Sequence, residues 1–215
     1  MVILDFYGMP GSGKSTISHM LAERLRNDGY TVIEPSWILD SNDSTFKRYG
    51  KKTLLALFYQ LNHPTVVIKA MKNNKGNSFI QSLKLWLNLS YTMYYLTKKR
   101  AVDFLIMDEG IAQGVVSLVT ECVNTKTDEC YSMLRKKIKF DLIEIYVRIS
   151  VETALKRLNL RGTTYSRVDR IDESKKEAYL SSILSICDDL KVEKSLVCEN
   201  EDVNFNVEKL FKAVI

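Results

Sequence analysis

Only three prolines and nine glycines occur in 215 residues, and neither gathers into a stretch that reads as a linker. No tract is of low complexity and no motif recurs at solenoid spacing, so the chain reads as one domain, 1–215, around one continuous core. Cysteine is sparse: Cys122, Cys130, Cys187 and Cys198 stand far apart, without a C-x-x-C pair or a histidine close in sequence. That excludes the usual zinc patterns and leaves free thiols. Of the two histidines, His19 falls inside a helical pattern and His63 precedes Pro64; both read as structural. A long clean apolar run is missing as well. The most hydrophobic stretch, Ser78 to Arg100, is interrupted by Gln81, Lys84 and Asn88, so no membrane span is expected. No basic segment precedes the apolar start, so a cytoplasmic protein is expected. The net charge of +5 suits anionic small molecules and lacks the concentrated basic stripe of a nucleic-acid binder; no nucleic acid is expected as a partner.

What the chain does have is a phosphate-binding pattern. Gly8-Met9-Pro10-Gly11-Ser12-Gly13-Lys14-Ser15-Thr16 contains G-x-x-x-x-G-K-[ST] with Gly8, Gly13, Lys14 and Ser15 at the fixed positions. Phosphate oxygens need several donors converging on one point. Successive backbone N–H groups supply them where glycines permit positive φ and close approach. Lys14 adds an ammonium for the β- and γ-phosphates, Ser15 a hydroxyl for Mg²⁺, and the following helix its positive end. Val2 to Tyr7 reads as a buried strand before the loop. Lys14 to Arg26, with Ile17, Met20, Leu21 and Leu25 at helical spacing, reads as the helix after it.

Further along, Tyr30 to Pro35 reads as a second strand that delivers Glu34 toward the loop. A helical pattern runs from Ser44 to about Asn73, interrupted by Gly50 and Pro64. The bulky segment 78–100 reads as a long helix buried against the sheet or against a second copy, which makes it the expected surface for a homodimer. Asp103 to Met107 is an apolar strand running into Asp108, an acid suited to hold Mg²⁺ near the loop. Helices over Ile111–Cys122 and Glu129–Lys139, a strand over Asp141–Ile149 and a helix over Val151–Arg161 follow. Arg157, Arg161, Arg167 and Arg170 then crowd around Gly162-Thr163-Thr164. Helical spacing resumes near Glu173, Ser195 to Cys198 is a last short strand, and Val207 to Ile215 a closing helix.

This alternation predicts an α/β fold, a doubly wound parallel sheet of about five strands flanked by helices. Over nearly its whole length the chain resembles the P-loop nucleoside and nucleotide kinases, thymidylate kinases and deoxynucleoside kinases above all. The loop is shared with small-metabolite kinases generally; Glu34-Pro35 resembles the Glu-Pro of both nucleotide groups. Ile145 to Gly162 looks like their segment in which a strand enters a helix ending in arginines and a lid. The resemblance implies a P-loop NTPase fold with a small lid at about 162–172, ATP and Mg²⁺ as cofactors, and a small-molecule phosphate acceptor. It implies Glu34 as the base at the acceptor hydroxyl, and Arg157 and Arg161 as phosphate-clasping arginines; Arg167 joins them as a candidate from its place in the arginine cluster. Nucleotide contacts would come from Gly8, Gly11, Ser12, Gly13, Lys14, Ser15 and Thr16, with Ser15 and Asp108 at the metal. One departure stands out. These families place Asp-Arg or Glu-Arg after the third strand, whereas this chain has Asp108-Glu109-Gly110, and an acid cannot replace an anion-binding guanidinium. That leaves the acceptor open between a nucleoside, a nucleoside monophosphate and a non-nucleotide metabolite. The competing class is a nucleotide-binding regulatory module without transfer. A GTPase is disfavoured, since no N-K-x-D motif is present.

Overall fold

The structure, a computed structural model, describes residues 1–37, 45–65, 79–121, 127–161, 168–190, 192, 194–199 and 202–215. Its centre is β1 (Val2–Tyr7), apolar except for Asp5, as suits a strand covered on both faces. Around it lie β2 (Val32–Ile33), β3 (Phe104–Met107), β4 (Asp141–Val147) and β5 (Ser195–Cys198) in the order β2-β3-β1-β4-β5, every pair parallel. Val2 pairs with Phe104 on one side and Asp141 on the other. The three inner strands therefore begin at one level, and β3 stops opposite Asp5, two residues before β1 ends.

Side chains alternate across the sheet. Leu4 and Phe6 face α1 (Lys14–Asn27) and α8 (Val203–Val214), packing with Ile17, Leu21, Leu25, Val207, Leu210 and Phe211. Ile3 and Tyr7 face the larger layer: α3 (Phe79–Thr97), α4 (Ile111–Glu121), α5 (Thr127–Arg135), α6 (Val151–Arg161) and α7 (Glu173–Asp189). α2 (Thr45–Asn62) packs outside α3. No described helix is long and apolar enough to cross a membrane.

Several boundaries move. The second strand shrinks to two residues; at its start the N–H and hydroxyl of Thr31 both donate to Asp103 Oδ2, at 2.8 and 2.7 Å, while its carbonyl still accepts from the N–H of Phe104 at 3.0 Å. α2 runs straight through Gly50 and stops before His63-Pro64, since proline disfavours helical geometry in the residue ahead of it; the expected helix beyond residue 65, to about 73, lies outside the described residues. α8 starts at Val203 instead of Val207 because Asp202 Oδ1 accepts from the N–H of Asn204 (2.9 Å) and Phe205 (3.3 Å), a side-chain cap. The helix expected as a dimer surface, α3, puts Leu85, Leu89, Met93 and Leu96 into the core and Tyr91 against Ala56 of α2. The apolar residues left exposed belong mainly to α2: Leu54, Leu57, Phe58 and Leu61.

Candidate active site

The loop between β1 and α1 has the backbone that its glycines require. Gly8, Gly11 and Gly13 have φ of 148°, 81° and 94°. At Gly8 a Cβ would lie 2.4 Å from the Val147 carbonyl oxygen, so the close passage of β4 alone demands glycine there. Gly13 occupies the N-cap of α1 in left-handed geometry, without a side-chain cap. The N–H groups of the first turn are thus kept for a ligand. Lys14 Nζ donates to the carbonyls of Gly8 and Met9, both at 2.9 Å, folding the ammonium over the loop. Burial lowers the pKa of Lys14, and the negative charges of Glu109 and Asp108 offset this only in part.

Opposite the loop, β3 ends in Asp108. Ser15 Oγ donates to Asp108 Oδ2 at 3.2 Å, and Ser36 Oγ donates to Asp108 Oδ1. No group of three or more His, Cys, Asp or Glu placed to hold a metal ion exists among the described residues. A hydroxyl and a carboxylate meeting beside a phosphate loop is instead the donor set that fits Mg²⁺, which takes few protein ligands and hard oxygens. From α6, Arg157 Nη1 donates to the Ser12 carbonyl at 3.2 Å, which fixes the guanidinium at the loop.

These groups open onto a cavity of about 1050 Å³. Gly11, Gly13, Lys14, Ser15 and Thr16 form its floor, and Arg157 and Arg161 stand at the side. Asn88, Tyr91 and Thr92 of α3 line the far end, with Gln113 and Ser117 of α4 and Tyr49 and Lys52 of α2. Glu109 is the one carboxylate among the described lining residues.

The loop, Asp108, Arg157 and Arg161 therefore come together as the sequence suggests. Arg167 lies outside the described residues. Of the expected lid only its end is described, a 3₁₀ turn over Val168–Arg170 leading to α7, with Val168 buried and lining the cavity. Glu34 is not among the described residues that line the cavity; its buried carboxylate pairs with Arg26 Nη2 at 2.7 Å and lies 3.0 Å from His19 Nδ1. Ser36, two residues on, lines the cavity. Tyr91 belongs to the tyrosines of segment 78–100 that suit an acceptor pocket; Ser36, Gln113, Asn88 and Thr92 went unpredicted, because isolated polar residues leave no periodic signal.

No protein-family model and no curated protein matches the chain in sequence. Solved structures match over its full length. Deoxyadenosine kinase from M. mycoides with products dCMP and dCDP superposes with a TM-score of 0.57 at 19% identity, covering 99% of this chain and 98% of that one. The same enzyme with bound dATP gives 0.55 at 19%, covering 99% of each. The YorR protein from Bacillus subtilis, in complex with phosphorylated GDP, gives 0.55 at 15%, covering 99% and 95%. The fold is that of the P-loop nucleoside kinases. Within the P-loop fold, the cavity lies outside the carboxyl ends of the parallel strands, where open α/β sheets gather their ligands.

Proposed function

We propose that the protein is a phosphotransferase that moves the γ-phosphoryl group of ATP to a hydroxyl of a small acceptor, a nucleoside before a nucleoside monophosphate. The observation that carries this reading is that Lys14, Ser15, Arg157 and Arg161 line one cavity large enough for two substrates side by side, with Asp108 hydrogen-bonded to Ser15 behind that lining. Phosphoryl transfer asks the protein mainly to position two oxygens in line and to neutralise charge on the moving group. The loop N–H groups and Lys14 bind the triphosphate, and Arg157 and Arg161 donate to oxygens that gain charge. Ser15 and Asp108 would hold Mg²⁺, which supplies further neutralisation.

The preference for an uncharged acceptor rests on Glu109. It lines the cavity next to Asp108, where the related kinases carry an arginine, and a carboxylate there repels a monophosphate. The same group, inside the cavity, is suited to accept the proton of the acceptor hydroxyl, with Glu34 as the other candidate for that role. The test is a transfer screen with Mg²⁺ and ATP over nucleosides, nucleoside monophosphates and sugar alcohols, run beside Lys14→Ala. Turnover of a nucleoside that disappears in Lys14→Ala supports the reading. Tight ATP binding with no acceptor consumed in the whole screen would favour a nucleotide-sensing module.

A further inference from the structure

Asp5 is an odd residue for its place. It sits in the middle of the central strand, fully buried, yet it makes a specific contact: Oδ2 accepts from the N–H of Ile111 at 2.8 Å and of Ala112 at 3.3 Å, the first turn of α4. The approach is so close that a Cβ on Gly110 would fall 2.0 Å from Asp5 Oδ1. Position 110 therefore admits no side chain while Asp5 is present. One turn into α4 a contact runs the other way. Gln113 Oε1 accepts from the N–H of Gly8, the first residue after β1, at 3.0 Å.

The two contacts are reciprocal. A side chain of β1 holds the start of α4, and a side chain of α4 holds the start of the phosphate loop, with Asp108 and Glu109 immediately before the braced turn. We propose that Asp5 and Gln113 are positioning residues that together set the separation between the phosphate loop and the Asp108-Glu109 pair. The proposal rests on the phosphotransfer reading above. The chemistry of the chosen residues fits the task. Gly8 is a partly buried N–H that needs an acceptor, and an amide oxygen provides one without adding negative charge beside a triphosphate. The deeper Asp5 lies below the loop, where a carboxylate can hold two N–H groups at a helix start, as anions do.

The experiment pairs amide hydrogen exchange with kinetics on the full chain, in Gln113→Leu and Gln113→Glu. Leucine removes the acceptor at nearly constant volume; glutamate keeps an oxygen in place. In Gln113→Leu, exchange at Gly8 should rise about tenfold or more, the loss of one hydrogen bond, while amides in β4 stay as in wild type. In Gln113→Glu, protection of Gly8 should return. With Mg²⁺ and ATP, kcat of Gln113→Leu should fall roughly a hundredfold, the effect of slight misplacement of reacting groups, with the KM of the acceptor little changed. Unchanged Gly8 exchange in Gln113→Leu overturns the brace whatever the activity. Raised exchange with wild-type kcat overturns its positioning role. If Gln113→Leu does not fold, Gln113→Glu decides alone: protection of Gly8 below wild type overturns the brace, and protection at the wild-type level upholds it. Gly8 exchange that responds as described in a protein whose wild type binds no ATP upholds the brace and removes the phosphotransfer reading instead.

Discussion

Three carboxylates near the phosphate loop have different surroundings, and each predicts a different experiment. Glu34 is held by Arg26 and His19, so Glu34→Gln should cost about 1–2 kcal/mol of stability, the worth of a hydrogen bond to a charged partner, and leave the transfer step near wild type. Glu109→Gln should do the reverse, slowing transfer about a hundred- to ten-thousand-fold as loss of a general base does, with an unchanged melting temperature. Urea titration and single-turnover kinetics on both variants separate the two; slow transfer in Glu34→Gln with normal transfer in Glu109→Gln would reverse the assignment. Asp5 speaks through pH. Burial above all, and the charge of Asp108 as well, push its pKa up to about 7, against the pull of the N–H groups of Ala112, Ile111 and Gly110. An acid with a raised folded-state pKa favours the fold while protonated. Its contribution is full below about pH 4 and is lost as pH rises through 7. Wild-type stability should therefore decline relative to Asp5→Asn between pH 5 and pH 8, by on the order of 3 kcal/mol, measurable by urea unfolding at the two pH values. A constant difference between the two proteins would show that Asp5 is ionised throughout.

Among the elements, β1, the loop and α1 were legible because chemistry and periodicity agree there: an apolar run, glycines where φ turns positive, then Ile17, Leu21 and Leu25 on one face of a helix. The ends of elements were less so, because side chains outside them act there. Asp103 binds Thr31 at the start of β2, and nothing within Tyr30 to Pro35 announces it. Asp202 lengthens α8, and here the signal was present as an acid two and three residues before the N–H groups it caps. Asp202→Ala should lower stability by about 1 kcal/mol, read as a drop in melting temperature with activity preserved. The end of α6 is the element on which the arginine hypothesis turns. Arg157 is anchored to Ser12 whereas Arg161, the last residue of the helix, is exposed. Arg157→Lys should therefore weaken ATP binding as well as turnover, since the loop contact is lost. Arg161→Lys should depress turnover alone, because a lysine lacks the rigid planar fork with which a guanidinium grips two oxygens of the moving phosphoryl group side by side. Calorimetry with ATP beside steady-state kinetics distinguishes them, and equal effects on both measurements would remove the distinction. Gln113 was invisible for a different reason. Its value lies in a contact 105 positions away along the chain, and a glutamine in a helical pattern carries no hint of its partner.

The molecule as assembled has two cores that share one sheet, and the three thiols among the described residues are divided between them. Cys130 and Cys187 are buried with α5 and α7 on one side; Cys198 is buried with α1 and α8 on the other. Burial pushes all three thiols well above their ordinary pKa, Cys130 and Cys198 to about 11 and Cys187 to about 12. A native molecule should thus leave them unreactive at neutral pH, which makes them clocks already built into the chain. Pulse alkylation followed by peptide mass spectrometry would time the opening of each layer without any added probe. Both layers hang on β1, so Cys187 and Cys198 should acquire label at one common rate. A faster Cys198 would instead mean that α1 and α8 peel away first, taking the phosphate loop with them while the acceptor wall still stands.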